Sequence, residues 1–278
     1  MSELARAARD IRGEVLSNDR VAADAFVLRF AETQPSPLAF APGEFIQVAA
    51  WTLDPLLRRP MSVLDWGRLP DGRGWVSFLY QVTGRGTKAF AALRPGDRIR
   101  ALGPLGRGFP DPGRPGPALI VAGGVGVAPF LLLARHLRAR GREVVVLLGA
   151  RDSDHLYLVA ALEVEGARVR CPTDRGDRGS QGLVTALLEE ELRTRGPSSI
   201  GRLYACGPEP MLRAVHAIAR QHDVPGDASL ERRMACGYGV CFTCVCPMLD
   251  RASGVVRNER TCLEGPVIDL ALLPLNGF

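Results

Sequence analysis

The chain has 278 residues, of which 46% are hydrophobic and 23% charged, and its mean hydropathy is +0.04. This length predicts two or three domains with their own cores, and the composition excludes a disordered chain, a collagen-like repeat and a coiled coil. The net charge of +5 comes almost entirely from arginines that are scattered along the chain without a basic run. Aromatic residues make up only 6% of the chain, so we expect no nucleic-acid partner.

Seven cysteines are too few for a disulfide-stapled secreted module of this length, and we expect no signal peptide. Four of the seven lie within residues 236–246, and cysteines bunched in this way usually hold a metal. The uncharged stretch from Pro117 to Ala134 is about as long as a membrane span, but its glycines and Pro129 favour a strand, a turn and a helix. We therefore predict a cytoplasmic protein that binds no membrane.

Residues 1–113 are predicted to be rich in short strands. Runs such as Val21–Phe30, Phe45–Ala49 and Val76–Val82 contain β-branched and aromatic residues and are separated by Pro/Gly turns. This spacing is typical of a barrel or a sandwich. The Pro/Gly-rich segment 111–117 marks the end of this domain.

Residues 114–224 are predicted to alternate between strands and helices, which indicates an open, mainly parallel α/β sheet. Residues 225–278 contain the cysteine-rich segment and are predicted to form a small metal module. The predicted strands of the α/β domain are Ala118–Ala122, Val144–Leu148 and Leu203–Cys206, and its predicted helices are Pro129–Arg140, Val184–Arg195 and Pro210–Gln221.

The cysteine spacing is the strongest motif. Cys236, Cys241 and Cys244 form a C-x4-C-x2-C pattern, with Cys262 further along the chain, and this is the plant-type [2Fe–2S] spacing. Gly237 and Gly239 let the backbone wrap closely around a cluster. Cys246 lies too near Cys244 to reach a second iron, so Cys262 is the better fourth ligand. A zinc site is the alternative, although zinc modules favour two separated cysteine pairs.

Two short motifs in the first domain indicate a phosphate-binding site. Residues 58–63 read Arg-Arg-Pro-Met-Ser-Val, and residues 84–87 read Gly-Arg-Gly-Thr. Arginine presents a fork to a phosphate, and glycines followed by threonine let the backbone approach an anion and add a hydroxyl donor. Each motif alone is also compatible with an ordinary strand end or hairpin turn. Together in a β-domain they predict a flavin site.

Two strand-to-helix turns in the second domain indicate a nucleotide site. Residues 122–130 read Ala-Gly-Gly-Val-Gly-Val-Ala-Pro-Phe, and residues 204–211 read Tyr-Ala-Cys-Gly-Pro-Glu-Pro-Met. A helix that begins after glycines leaves the backbone N–H groups of its N-terminus accessible to a pyrophosphate. In such sheets, ligands bind at the carboxyl ends of the strands. The alternative is a pair of ordinary turns without a ligand.

The order of these motifs resembles the ferredoxin-reductase flavoprotein superfamily. The cysteine module, with Thr-Cys-Leu-Glu-Gly-Pro-Val at residues 261–267, narrows the resemblance to the electron transfer subunits of B-type, NAD-linked dihydroorotate dehydrogenase. This resemblance implies a multidomain α+β fold. Its parts are an antiparallel β-barrel FAD domain at 1–113, an open parallel α/β NAD-binding domain at 114–224 and a small C-terminal [2Fe–2S] module at 225–278.

The resemblance also implies roles for individual residues. Arg59 lies at the FAD phosphates, and Ser62 and Cys206 are catalytic, beside the flavin ring and the nicotinamide. Met61 stands where the wider superfamily usually has an aromatic residue. The implied FAD-binding residues are Arg59, Pro60, Met61, Ser62, Leu79, Tyr80, Gln81, Gly86 and Thr87; the NAD-binding residues are Gly123, Gly124, Gly126, Cys206, Gly207 and Pro208; the cluster ligands are Cys236, Cys241, Cys244 and Cys262.

The activity implied by the resemblance needs a partner. An FMN-containing dihydroorotate dehydrogenase catalytic subunit would oxidise dihydroorotate, and this chain would pass the electrons through [2Fe–2S] and FAD to NAD⁺, within a heterotetramer of pyrimidine biosynthesis. One alternative is a reductase component for a hydrogenase, a sulfide dehydrogenase or an oxygenase. Another is a non-enzymatic iron–sulfur sensor, which would lack flavin. The choice between NAD and NADP stays open, because Arg151 follows the second predicted strand of the α/β domain and is placed to meet a 2′-phosphate.

Overall fold

The computed structural model describes residues 8–35, 37–52, 54–250 and 252–274. These residues build a seven-stranded sheet, a six-stranded sheet and a two-stranded hairpin. No helix in the described ranges is long and apolar enough to cross a membrane.

The first sheet is antiparallel and curls back on itself. Its strands are β1 (Arg9–Arg20), β2 (Ala25–Pro35), β3 (Phe45–Ala50), β4 (Arg59–Ser62), β5 (Asp65–Arg68), β6 (Arg73–Gln81) and β7 (Arg98–Leu105), and helix α1 (Arg85–Ala91) follows β6. They pair in the order β4-β3-β7-β1-β2-β6-β5. The N–H of Leu64, just after the edge strand β4, donates to the carbonyl of Ser77 in β6 at 2.9 Å. This bond joins the two sides of the sheet, as expected for the predicted barrel.

The second sheet is the predicted α/β sheet. Its strands are β8 (Ala118–Gly123), β9 (Val144–Gly149), β10 (Arg168–Arg170), β11 (Arg202–Cys206), β12 (Gly226–Ser229) and β15 (Val267–Asp269), and its helices are α2 (Phe130–Ala139), α3 (Val159–Val164), α4 (Val184–Arg195) and α5 (Glu209–Gln221). The strand order is β10-β9-β8-β11-β12-β15, and only β15 runs antiparallel to its neighbour. The strands β8 and β9 are apolar along nearly their whole length, because helices cover both faces of the sheet.

The order in which successive strands are added to this sheet reverses between β8 and β11, although these two strands are parallel. The chain continues from β8 to β9 on one side, and β11 lies on the other side. A crevice therefore opens beyond the carboxyl ends of β8 and β11, where open α/β sheets bind their ligands. The two predicted strand-to-helix turns lie at these two strand ends.

The cysteine-rich segment leaves the second sheet and returns to it. After β12 come the cysteine loop, a hairpin of β13 (Val245–Leu249) and β14 (Val256–Arg260), and the short helix α6 (Thr261–Glu264). The segment then ends with β15 in the six-stranded sheet. The division at 224/225 remains a prediction, and β12 and β15 of the last segment share a sheet with the strands of residues 114–224.

The predicted element boundaries agree with the structure where the pattern is local. Helix α4 begins and ends at the predicted residues, Val184 and Arg195. The predicted strand Val21–Phe30 is wrong at its beginning, because residues 21–24 form the turn between β1 and β2. There the N–H of Val21 donates to the carbonyl of Ala25 at 2.9 Å.

Candidate functional site

A cavity of about 340 Å³ lies against strands β4 and β6 and is the candidate flavin site. Its opposite wall comes from the turn that follows β8, through Val125 and Ala128, and from the end of β12 and the loop beyond it, residues 229–232. The described cavity wall contains seven of the residues that the resemblance assigns to FAD: Pro60, Met61, Ser62, Leu79, Tyr80, Gln81 and Thr87.

Arg59 and Gly86, the other two assigned residues, lie together in an adjoining crevice. A methyl group on Gly86 would lie 2.4 Å from Nε of Arg59, so the guanidinium rests directly on the glycine backbone. The hydroxyl of Thr87 accepts hydrogen bonds from the N–H groups of Thr83 (2.9 Å) and Gly84 (3.1 Å). Thr87 therefore shapes the turn that presents Gly86, and its contact with a pyrophosphate remains a prediction.

A second cavity, of about 570 Å³, occupies the crevice of the six-stranded sheet and is the candidate NAD site. Gly123, Gly124 and Gly126 line it from the end of β8, and Gly207 and Pro208 line it from the end of β11. A methyl group on Gly126 would lie 2.6 Å from the carbonyl oxygen of Cys206. The glycines are therefore needed for the two strand ends to approach each other.

Cys206 lies beneath this cavity rather than on its wall. Its side chain is 2% exposed, and burial raises the pKa of its thiol well above the ordinary value. Ser229 is hydrogen-bonded to the sulfur from the neighbouring strand β12. The thiol is therefore neutral at physiological pH. Its position beside the nicotinamide remains a prediction.

The two cavities meet at three residues that line both: Gln81, Val125 and Glu231. The amide nitrogen of Gln81 donates to Oη of Tyr157 at 2.9 Å and to the carboxylate of Asp24 at 3.2 Å. The Tyr157 hydroxyl in turn donates to Asp24 at 3.1 Å, and burial raises the pKa of Tyr157 to about 12, so it keeps this proton. This ring of bonds fixes the Gln81 side chain at the junction.

Glu231 is a candidate functional residue that the sequence reasoning missed. Glu231 is an exposed residue whose exposed surface faces the two cavities, while protein packs around the carboxyl on its remaining sides. Partial desolvation by the surrounding protein raises the pKa of the carboxyl above its ordinary value of 4.5. Glu231 is therefore placed to hold a proton between the flavin and nucleotide cavities. The only sequence signal was its position just after β12, before the cysteine motif.

We expect Glu231→Gln to stabilise the protein increasingly as pH rises above about 4.5. The folded state binds the Glu231 proton more tightly than the unfolded state, so the stability due to the protonated carboxyl is lost as pH rises through the raised pKa. The measurement is the difference in Tm between the variant and the wild type across this pH range. A difference that shrinks with rising pH would contradict the raised pKa.

The four predicted cluster ligands form two pairs. Cys236 lies close enough to Cys241 to lower the pKa of the Cys241 thiol, and Cys244 lies close enough to Cys262 to raise the pKa of the Cys262 thiol. Over the described residues, no three His, Cys, Asp or Glu side chains converge on a single metal position. Two neighbouring thiol pairs suit two tetrahedral irons joined by sulfides, because each iron takes one pair. The chemistry of this donor set therefore fits a [2Fe–2S] cluster.

Two glycines let the loop backbone pass close to these thiols. Gly237 and Gly239 have φ angles of +79° and +91°, which side-chain-bearing residues rarely adopt. The hydroxyl and N–H of Thr243, together with the N–H of Cys236, lower the pKa of the Cys241 thiol. Such donors favour the thiolate that an iron ligand must be.

Phe45 and Met234 pack in the apolar cluster that contains the Cys244 and Cys262 thiols, and both also line the flavin cavity. Leu105 completes the buried part of this cluster. The thiol pairs, the flavin cavity and the nucleotide cavity are thus contiguous in that order.

This arrangement of a curled sheet, an α/β nucleotide domain and paired thiols defines an iron–sulfur reductase that uses a flavin and a nicotinamide nucleotide. Residues 231–273 match the family model for the iron–sulfur cluster binding domain of dihydroorotate dehydrogenase B, and residues 120–217 match the oxidoreductase NAD-binding domain. The chain belongs to the family of electron transfer subunits of dihydroorotate dehydrogenase B (NAD(+)).

Two relatives and one solved structure illustrate the match. The electron transfer subunit of Desulforamulus reducens is 36% identical over 91% of this chain and 94% of its own. The subunit of Geobacillus thermodenitrificans is 38% identical over 81% of this chain and 84% of its own. A chain from the NADH-dependent reduced ferredoxin-NADP oxidoreductase structure is 27% identical, with a TM-score of 0.79 over 95% of this chain and 90% of that one.

Proposed function

We propose that this chain carries electrons from an FMN-containing dihydroorotate dehydrogenase catalytic subunit through [2Fe–2S] and FAD to NAD⁺, as part of a cytoplasmic heterotetramer in pyrimidine biosynthesis. The contiguity of the thiol pairs, the flavin cavity and the nucleotide cavity is the observation that carries the proposal. All seven cysteines are free thiols, which suits a reducing compartment.

The overall reaction balances in electrons and protons. Oxidation of dihydroorotate to orotate releases two electrons and two protons, and reduction of NAD⁺ to NADH takes up two electrons and one proton. A bound flavin supplies the conversion between single electrons and a hydride. One proton per turnover must therefore reach the flavin cavity, and the carboxyl of Glu231 is placed to hold it there.

The residues of the flavin cavity have distinct proposed roles. Arg59, resting on Gly86, binds the pyrophosphate of FAD through charge-assisted hydrogen bonds. Leu79 and Tyr80, which are almost fully buried, form a wall that excludes water. Ser62 offers its hydroxyl at the edge of the cavity next to Met61.

NAD is the proposed nucleotide. Arg151, the candidate for a 2′-phosphate, already contacts His155 and lies 3.6 Å from the carboxylate of Asp152. The carboxylate of Asp174 lines the same cavity. A carboxylate there accepts hydrogen bonds from ribose hydroxyls and repels a 2′-phosphate.

The partner subunit is proposed to bind over the cluster loop. Tyr238, Val240, Phe242 and Leu263 are exposed apolar side chains around the exposed Cys241, and we call them the cluster-loop surface. Val240 is 69% exposed and Phe242 is 58% exposed. Exposed apolar residues grouped in this way mark interaction sites, and electron transfer requires the partner to lie close to the cluster.

We expect Val240→Asp to weaken the complex with the catalytic subunit by about 100-fold, because burying an unpaired carboxylate at an interface costs several kcal/mol. NADH oxidation by ferricyanide, which needs no partner, should be unchanged. The measurement is the Kd between purified subunits. Val164→Asp, at an exposed position at the end of α3, is the matched control. Equal Kd values for the two variants would place the interface elsewhere.

The proposed function is tested by mixing the purified chain with a dihydroorotate-oxidising FMN subunit and NAD⁺. We expect NADH to form at a rate that depends on dihydroorotate. No NADH formation from an intact complex would contradict the proposal. It would favour a reductase component for another redox partner, which the likeness to the ferredoxin-NADP oxidoreductase chain also supports.

A further inference from the structure

Two fully buried polar side chains beside the cysteine loop have no hydrogen-bond partner in the part of the chain that the structure describes. They are Gln47 of β3, whose Nε2 and Oε1 are both unpaired, and Thr261 of α6, whose hydroxyl is unpaired. Both residues are 0% exposed. Buried polar groups nearly always have a partner, so each of these groups needs an explanation.

Gln47 lies directly beneath the loop that follows Cys236. A methyl group on Gly237 would lie 2.3 Å from Nε2 of Gln47, so the loop backbone rests on the amide. Gln47 pairs across the sheet with Pro60, which lines the flavin cavity. The amide therefore reaches the cysteine loop from the sheet that builds the flavin site.

Thr261 lies beside the other pair of thiols. It directly precedes Cys262, and its N–H donates to the carbonyl of Cys244 at 3.1 Å. This bond places Thr261 beside the Cys244–Cys262 pair. The two unpaired groups thus adjoin different thiol pairs.

We propose that the Gln47 amide and the Thr261 hydroxyl donate hydrogen bonds to sulfur atoms of the [2Fe–2S] cluster and raise its reduction potential. This inference rests on the proposed function, because it requires the cluster. Reduction adds negative charge to the cluster, and hydrogen-bond donors to its sulfurs stabilise that charge. The flavin-binding sheet thereby helps to set the potential of the centre that exchanges electrons with the flavin.

The test uses the chain loaded with cluster and FAD, in a redox titration followed by EPR. We expect Gln47→Met and Thr261→Val each to raise the ratio of oxidised to reduced cluster at a fixed solution potential by up to about tenfold. This corresponds to a reduction potential lower by up to about 59 mV for a one-electron couple. Thr261→Ser, which keeps the hydroxyl, should restore the wild-type potential. Gln221→Met, at an exposed position on α5, is the matched control and should leave the potential unchanged.

An unchanged potential in both Gln47→Met and Thr261→Val overturns the inference. The same holds if these variants lose the cluster more quickly but keep the wild-type potential. If Gln47→Met fails to take up the cluster, wild-type protein labelled with ¹⁵N-glutamine replaces it. Magnetic coupling between the reduced cluster and a glutamine nitrogen supports the bond from Gln47, and its absence overturns it. A wild-type chain without a [2Fe–2S] signal would contradict the proposed function instead.

Discussion

Cys241→Ser and Cys262→Ser are expected to abolish the visible absorption and EPR signal of the cluster while leaving FAD bound. Each replacement removes one thiolate from a different pair, Cys236–Cys241 or Cys244–Cys262, and four thiolates are needed to hold two irons. The flavin cavity is lined by other residues, so oxidation of NADH by ferricyanide should continue. Transfer of electrons from dihydroorotate to NAD⁺ in the complex should be lost completely.

Cys246→Ser is the matched control, because Cys246 lies only two residues beyond Cys244. Its sulfur is fully buried and lies 3.6 Å from the guanidinium of Arg232, and Cys246 packs in a different apolar cluster from Cys244 and Cys262. The cluster signal should therefore survive this change. Loss of the signal in Cys246→Ser and its retention in Cys262→Ser would show that the fourth ligand is wrongly assigned.

Arg59→Gln has the second-largest expected effect, a loss of about 100-fold in the affinity for FAD. The guanidinium is proposed to make two charge-assisted hydrogen bonds to the pyrophosphate, each contributing about 1.5 kcal/mol or more. Because Arg59 rests on Gly86, Gly86→Ala should displace it and weaken binding in the same direction. The measurement is the Kd of FAD from the quenching of flavin fluorescence.

Arg58→Gln is the neighbouring control. Arg58 forms an ion pair with Asp10 at 2.8 Å on the first sheet, and we expect its replacement to leave the affinity for FAD within about twofold of the wild type, in the range of ordinary surface changes. If Arg58→Gln and Arg59→Gln weakened FAD binding equally, the pyrophosphate site would be wrongly placed.

The parts of the structure that the sequence predicted are those with a local signal. The apolar strand β8, the helix α4 and the spacing of Cys236, Cys241 and Cys244 can be recognised within a short window. The β-branched side chain of Val21 favours a strand, but the hydrogen bond from its N–H to the carbonyl of Ala25 holds it in a tight turn. A propensity of single residues cannot reveal such a turn.

The missed features depend on contacts between distant parts of the chain. Tyr157 meets Asp24 across a separation of 133 residues, and Gln47 meets Gly237 only because the cysteine loop folds over the first sheet. Strand β15 returns to the second sheet after the whole cysteine module. No periodicity or spacing in the sequence encodes these meetings, because they arise from the packing of domains.

An anaerobic titration of the purified chain with NADH tests the contiguous path most directly. We expect NADH to bleach the flavin absorption and the [2Fe–2S] EPR signal of the reduced cluster then to appear, with no partner present. A chain whose flavin is reduced while its cluster stays oxidised, under conditions where dithionite reduces that cluster, would contradict the path from nucleotide to flavin to cluster.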